Sequence, residues 1–251
     1  MEMVLLTAAG VGGATVFGSV LGFIFKKISH KFSDIVLSFA AGVMLCAAVT
    51  GLILPSLEYE SFSPIVVTIA GVICGALFLN VIDKLVPHLH RLAGVEQEHH
   101  PVSGEKLNKI LLFVMAIAIH NLPEGIAAGV GFGSGNDSRA ITIAVGIALQ
   151  NIPEGMVIIG PMLAAGMKPG RTFVCALLTG VVEVLGTLLG YFAVSISTAI
   201  LPFALAFAGG TMLYVISDEM IPETHHSETR GVTYALLVGF CLMLGMSYFL
   251  E

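Results

Sequence analysis

The chain has 251 residues, of which 56% are hydrophobic and only 11% charged, and it carries a formal net charge of −6. Ordinary soluble domains carry about 25% charge, so this composition, with 29 glycines and a mean hydropathy of +0.95, excludes a soluble globule, a disordered chain, a coiled coil and a disulfide scaffold. Only 11 Lys and Arg argue against a nucleic-acid surface, which leaves an all-α polytopic membrane protein.

Crossing a hydrocarbon core of ~30 Å takes about 20 apolar residues. Eight runs meet that length, at about 3–25, 35–57, 64–87, 108–132, 140–164, 172–197, 200–221 and 231–250. The first opens on Glu2 with no basic residue and is too long for a signal-peptide core, so it is expected to be a retained helix. Lys26-Lys27-Ile28-Ser29-His30-Lys31 precedes the second run, Glu58-Tyr59-Glu60 follows it, and a His-bearing loop over 88–109 leads to the fourth. Asn136-Asp137-Ser138-Arg139, Lys168-Pro169-Gly170-Arg171, Pro202 and the stretch from Glu223 to Arg230 separate the rest. The runs predict a single transmembrane domain over 1–251.

Basic residues set orientation. The loops between runs 1–2, 3–4, 5–6 and 7–8 hold Lys26, Lys27, Lys31, Lys84, Arg91, Lys106, Lys109, Lys168, Arg171 and Arg230, whereas the opposite side holds only Arg139. Both termini are therefore expected on the outer side of the membrane. Cys46, Cys74, Cys175 and Cys241 all fall inside runs and form no CxxC pair, so they are expected to be packing residues.

Charges deep in a membrane usually mark an ion or substrate path. Glu124, Glu154 and Glu183 each fall roughly 17–24 Å into a run at 1.5 Å per residue, near the midplane. Two of them lie in an internal duplication. Run 4 reads His120-Asn121-Leu122-Pro123-Glu124-Gly125 and run 5 reads Gln150-Asn151-Ile152-Pro153-Glu154-Gly155. Neighbouring helices run in opposite directions, so the copies imply a local pseudo-two-fold axis in the membrane plane. The i, i+4 spacing puts His120 with Glu124, and Gln150 with Glu154, on one helix face, with Asn121 and Asn151 about 100° round. Pro123 and Pro153 cannot donate to the carbonyls of Ile119 and Leu149, which frees oxygens beside the carboxylates. Imidazole, amide oxygens and carboxylates suit Zn(II), Fe(II), Mn(II) or Cd(II) better than Cu(I).

With these motifs the chain resembles the ZIP (Zrt-/Irt-like) divalent metal transporters, in particular their GufA-type prokaryotic branch. Phe39-Ala40-Ala41-Gly42-Val43-Met44-Leu45 and Val215-Ile216-Ser217-Asp218-Glu219-Met220-Ile221-Pro222-Glu223 match the family as well. The resemblance implies eight helices in a three-two-three inverted-repeat bundle, a homodimer, and import of divalent metal across the plasma (inner) membrane into the cytoplasm. It implies a first metal position at His120, Glu124, Gln150 and Glu154, and a second at Asn121, Glu124, Asn151, Glu154 and Glu183. It also puts Met44 beside the site, Glu58 toward the outer mouth, and Asp218 and Glu219 on the inner exit. Many family members have His at the place of Gln150, and some have Asp at that of Asn151. The metal is then the transported substrate, and no organic cofactor is expected.

The inner loop carries His88, His90, Glu96, Glu98, His99 and His100, with Glu223, His225 and His226 on the same side. It reads either as a solvated polar loop or as a weak cytoplasmic metal trap. The competing function is a proton-coupled carrier of a small organic solute, with the carboxylates as relays. An enzyme is not expected: His-Glu-x-x-His and Walker motifs are absent, and one histidine lies within the runs.

Overall fold

A computed structural model describes residues 1–25, 29–60, 62–85, 119–132, 135, 137–164, 166–196, 198–224 and 230–250. Helices in chain order are α1 (Glu2–Ile24), α2 (His30–Cys46), α3 (Pro64–Leu85), α4 (residues 119–132), α5 (Asp137–Val157), α6 (Pro169–Ile196), α7 (Leu201–Val215) and α8 (Arg230–Leu250). No strand occurs among the described residues. Among the described residues seven helices are long and apolar enough to cross a membrane, which makes this an integral membrane protein. The fourth predicted run is described only from residue 119. The His-bearing loop, His225, His226 and the basic residues Lys26, Lys27, Arg91, Lys106 and Lys109 lie outside the described residues.

Two helices widen before they end. α2 continues as a π-helix over Ala47–Ile53, and α7 does so over Ile216–Met220. A proline follows each stretch. Pro55 cannot donate to the Gly51 carbonyl, nor Pro222 to that of Asp218, so the ladder of i→i−4 bonds is interrupted. The residue after each stretch donates five positions back instead, Leu54 N–H to Val49 O and Ile221 N–H to Ile216 O.

The helices pack in related pairs. α3 lies along α7 and α2 along α8, while α1 packs against both α5 and α6. Lipid tails are as apolar as the side chains, so helix association depends on close backbone approach at small residues. A Cβ at Gly155 would overlap the Thr15 carbonyl oxygen, and one at Gly125 would overlap that of Glu183. Gly18 meets the Ile152 carbonyl as Gly186 meets that of Leu122, and Gly22 meets Met156 as Gly190 meets Ile126. In each comparison the α1 and α6 residues stand 168 positions apart, the separation of Thr15 and Glu183. Even the hydroxyl contacts repeat: Ser19 donates to the Thr15 carbonyl and Thr187 to that of Glu183, both at 2.9 Å. Gly12 and Gly180 seat on each other's backbone where α1 crosses α6.

The ends of three helices meet at one end of the bundle. Arg139, at the start of α5, pairs with Glu58 beyond α2 at 3.0 Å, and Ser138 donates to the Leu250 carbonyl of α8 at 2.7 Å.

Candidate metal centre

Both copies of the duplicated segment are helical, and their polar residues turn to one interior place. Glu124 is 1% exposed and Gln150 0%, far below what an unpaired acid in a soluble core tolerates. Gln150 Nε2 donates to Glu124 Oε1 at 2.8 Å, which sets the second residue of one face against the first of the other. Glu124 also lies close to Glu154 and Glu183.

The helix face expected from i, i+4 spacing extends to a fourth helix. His120 Nε2 meets Glu219 Oε1 of the widened α7 segment at 2.8 Å. Glu154 lies close to both His120 and Glu219. Glu219, expected on an exit path, thus joins the histidine of the first metal position. Asp218 is exposed. Met44 is buried in the main core with Ala127, Ile143 and Ile147.

Glu183 sits one step to the side, between the asparagines. Its Oε1 accepts from Asn121 Nδ2 and from Thr15 Oγ1, the latter at 2.6 Å, and its Oε2 accepts from Asn151 Nδ2 at 2.8 Å. Thr15 is the contributor that sequence reasoning missed. Its signal is weak but present: Gly12-x-x-Thr15-x-x-Gly18 in α1 parallels Gly180-x-x-Glu183-x-x-Gly186 in α6. Glu58 stands apart from this centre, exposed and paired with Arg139.

Four oxygens decide what the centre accepts. Glu124 Oε2, Gln150 Oε1, Asn151 Oδ1 and Glu154 Oε1 are buried with no hydrogen-bond partner among the described residues. An unpaired buried polar atom costs about 1–3 kcal/mol, more when charged. Oxygen lone pairs gathered from α4 and α5 are relieved by a cation or by donors of a bound solute. Among the described residues no three His, Cys, Asp or Glu are placed to hold a metal by themselves, so a metal here needs the amide oxygens as well.

The chain matches known proteins over nearly its full length. The family profile described as ZIP Zinc transporter covers residues 91–248. The "Zinc transporter GufA" of Myxococcus xanthus is 40% identical over 247 residues, which cover 96% of each chain. The "Zinc transporter ZIPB" of Bordetella bronchiseptica is 35% identical over 96% of this chain and 79% of its own. The "Zinc transporter ZupT" of Salmonella paratyphi A is 30% identical over 97% of this chain and 95% of its own. This chain belongs to the ZIP family, and it is of the GufA type.

Proposed function

We propose that the protein is a secondary transporter that imports a divalent transition metal, zinc foremost, into the cytoplasm through the centre between α4, α5 and α6. The observation that carries this reading is the set of buried, unpartnered oxygens on Glu124, Gln150 and Glu154, with that of Asn151 beside them. Carboxylate and amide oxygens beside the His120 imidazole form a mixed set for Zn(II), with room in its chemistry for Fe(II), Mn(II) and Cd(II). Cations satisfy oxygen lone pairs without bringing further donors or bulk, which favours a metal over an organic solute. The names of the GufA, ZIPB and ZupT relatives point the same way.

In this reading His120, Glu124, Gln150 and Glu154 hold the ion, and Asn121, Asn151 and Glu183 form the adjoining set. Nothing covalent is asked of these groups. They replace the ion's hydration shell at a depth where bare charge is costly.

The rest of the plan follows the family: one domain of eight crossings in a three-two-three inverted repeat, with both termini outside. Contacts 168 positions apart between α1 and α6 support the repeat. The eighth crossing is supported by chain tracing. α3 leaves the end where Glu58 meets Arg139 and its 22 residues run about 33 Å away from it. α5 starts again at that first end, with the described helix α4 between the two in the chain. Lys31, Lys168, Arg171 and Arg230 stand at the starts of α2, α6 and α8, the ends assigned to the cytoplasm.

The test is Zn(II) uptake into proteoliposomes. Glu124→Ala and Glu154→Ala are expected to abolish uptake while the protein still inserts and elutes as the wild type does. Wild-type uptake by either folded variant would exclude this centre from the path.

A further inference from the structure

Glu183 is 0% exposed, and both its oxygens are engaged by donors from three helices: Thr15 of α1, Asn121 of α4 and Asn151 of α5. The Asn151 nitrogen also faces the Val11 carbonyl at 3.4 Å. Two acceptors at one amide nitrogen set its orientation, because a flip would press Oδ1 against two oxygens. Three donors on the two Glu183 oxygens occupy lone pairs that a cation at the adjoining position would need.

We infer that Glu183 is a positioning residue, that Thr15 acts through it, and that their clamp closes the adjoining position so that the carrier holds a single ion. This rests on the metal reading above. Asn121 directly follows His120 and comes three residues before Glu124, and Asn151 stands in the same relation to Gln150 and Glu154. A carboxylate that grips both amides therefore sets the rotation of α4 and α5 about their own axes. Rotation decides the aim of all four ligands, since a site loose by about 1 Å loses its function. Thr15 and Glu183 occupy equivalent places in the two repeats, 168 positions apart. One repeat thus supplies the acceptor and the other a neutral donor, where a second acid would have demanded a metal between them.

Counting bound metal tests this. Purified full-length protein is titrated calorimetrically with Zn(II), and bound zinc is measured after gel filtration. One ion per chain is expected for the wild type and for Glu183→Gln. Asn151→Asp removes a donor and sets a second carboxylate against Glu183, so its count should rise to two. Thr15→Val should weaken Zn(II) binding about tenfold, and Thr15→Ser, which keeps the hydroxyl, should restore it. Two ions in the wild type would overturn the clamp and leave the metal reading intact. A count that stays at one in Asn151→Asp, or a Thr15→Val affinity equal to wild type, also overturns it. No ion in the wild type overturns the metal reading and the clamp with it. The wild-type count decides even if a variant fails to insert.

Discussion

His120 and Glu219 meet at 2.8 Å, although one belongs to the duplicated segment of α4 and the other to the widened turn that ends α7. The contact engages Nε2, one of the two imidazole nitrogens of His120. In the proposed reading, an ion that binds His120 through Nε2 displaces the Glu219 carboxylate, which can take the nitrogen back on release.

That exchange leads to a prediction for Glu219→Gln. The amide keeps the size of the side chain and removes its charge, so it competes less for His120. Zn(II) should bind more tightly by about 1 kcal/mol, roughly fivefold in Kd, while uptake slows because release loses its partner. Calorimetry and initial uptake rates read the two effects separately. Weaker binding would instead make Glu219 a ligand.

Gln150 presents one amide oxygen where an imidazole would be the stronger zinc ligand. In Gln150→His the bond to Glu124 Oε1 is exchanged for a nitrogen donor. Zn(II) should bind more tightly and the preference over Fe(II) and Mn(II) should widen. Competition uptake with those ions and Cd(II) measures the order, and an unchanged order removes Gln150 from the ligand set.

Backbone contact at the glycines predicts a stability contrast. A Cβ at Gly155 would overlap the Thr15 carbonyl, and one at Gly125 that of Glu183, where no flexible side chain can yield. Gly155→Ala and Gly125→Ala should each cost about 1–3 kcal/mol and lower the Tm in detergent. Gly10 and Gly13 have nothing within 4 Å of an added Cβ, so alanine there should be neutral or slightly stabilising. Thermal unfolding of the four variants in parallel checks the contrast.

Glu58 gives the opposite expectation from the buried acids. It is exposed, and its pair with Arg139 lies at the end of the bundle. Exposed ion pairs contribute at most about 1 kcal/mol, so Glu58→Gln should insert normally and take up Zn(II) at nearly the wild-type rate. A severe loss of uptake would return Glu58 to the ion path.

What depends on one helix at a time is legible in the sequence. Composition and run length alone identify a membrane protein, because backbone groups in lipid must be satisfied within their own helix. The regular period of a helix is enough to place His120 with Glu124, and Gln150 with Glu154, on shared faces. Pro202 marked the division between α6 and α7, and the prolines at 55 and 222 carry the local reason for the widened turns. Which faces meet is set by how the helices pack. Thr15 has no exceptional neighbour in its own helix, and its pairing with Glu183 arises where glycines let α1 and α6 cross in contact. Glu219 lies 99 positions beyond His120 in the chain, and no local spacing links them. Their contact depends on the π-turn of α7 and on the side-by-side packing of the bundle. Likewise both asparagines are legible as neighbours of the motif, but that they donate to Glu183 follows from three helix axes converging on one carboxylate. Short-range periodicity is written into each segment, whereas convergence is a property of the packed helices, set by which small residues allow close approach.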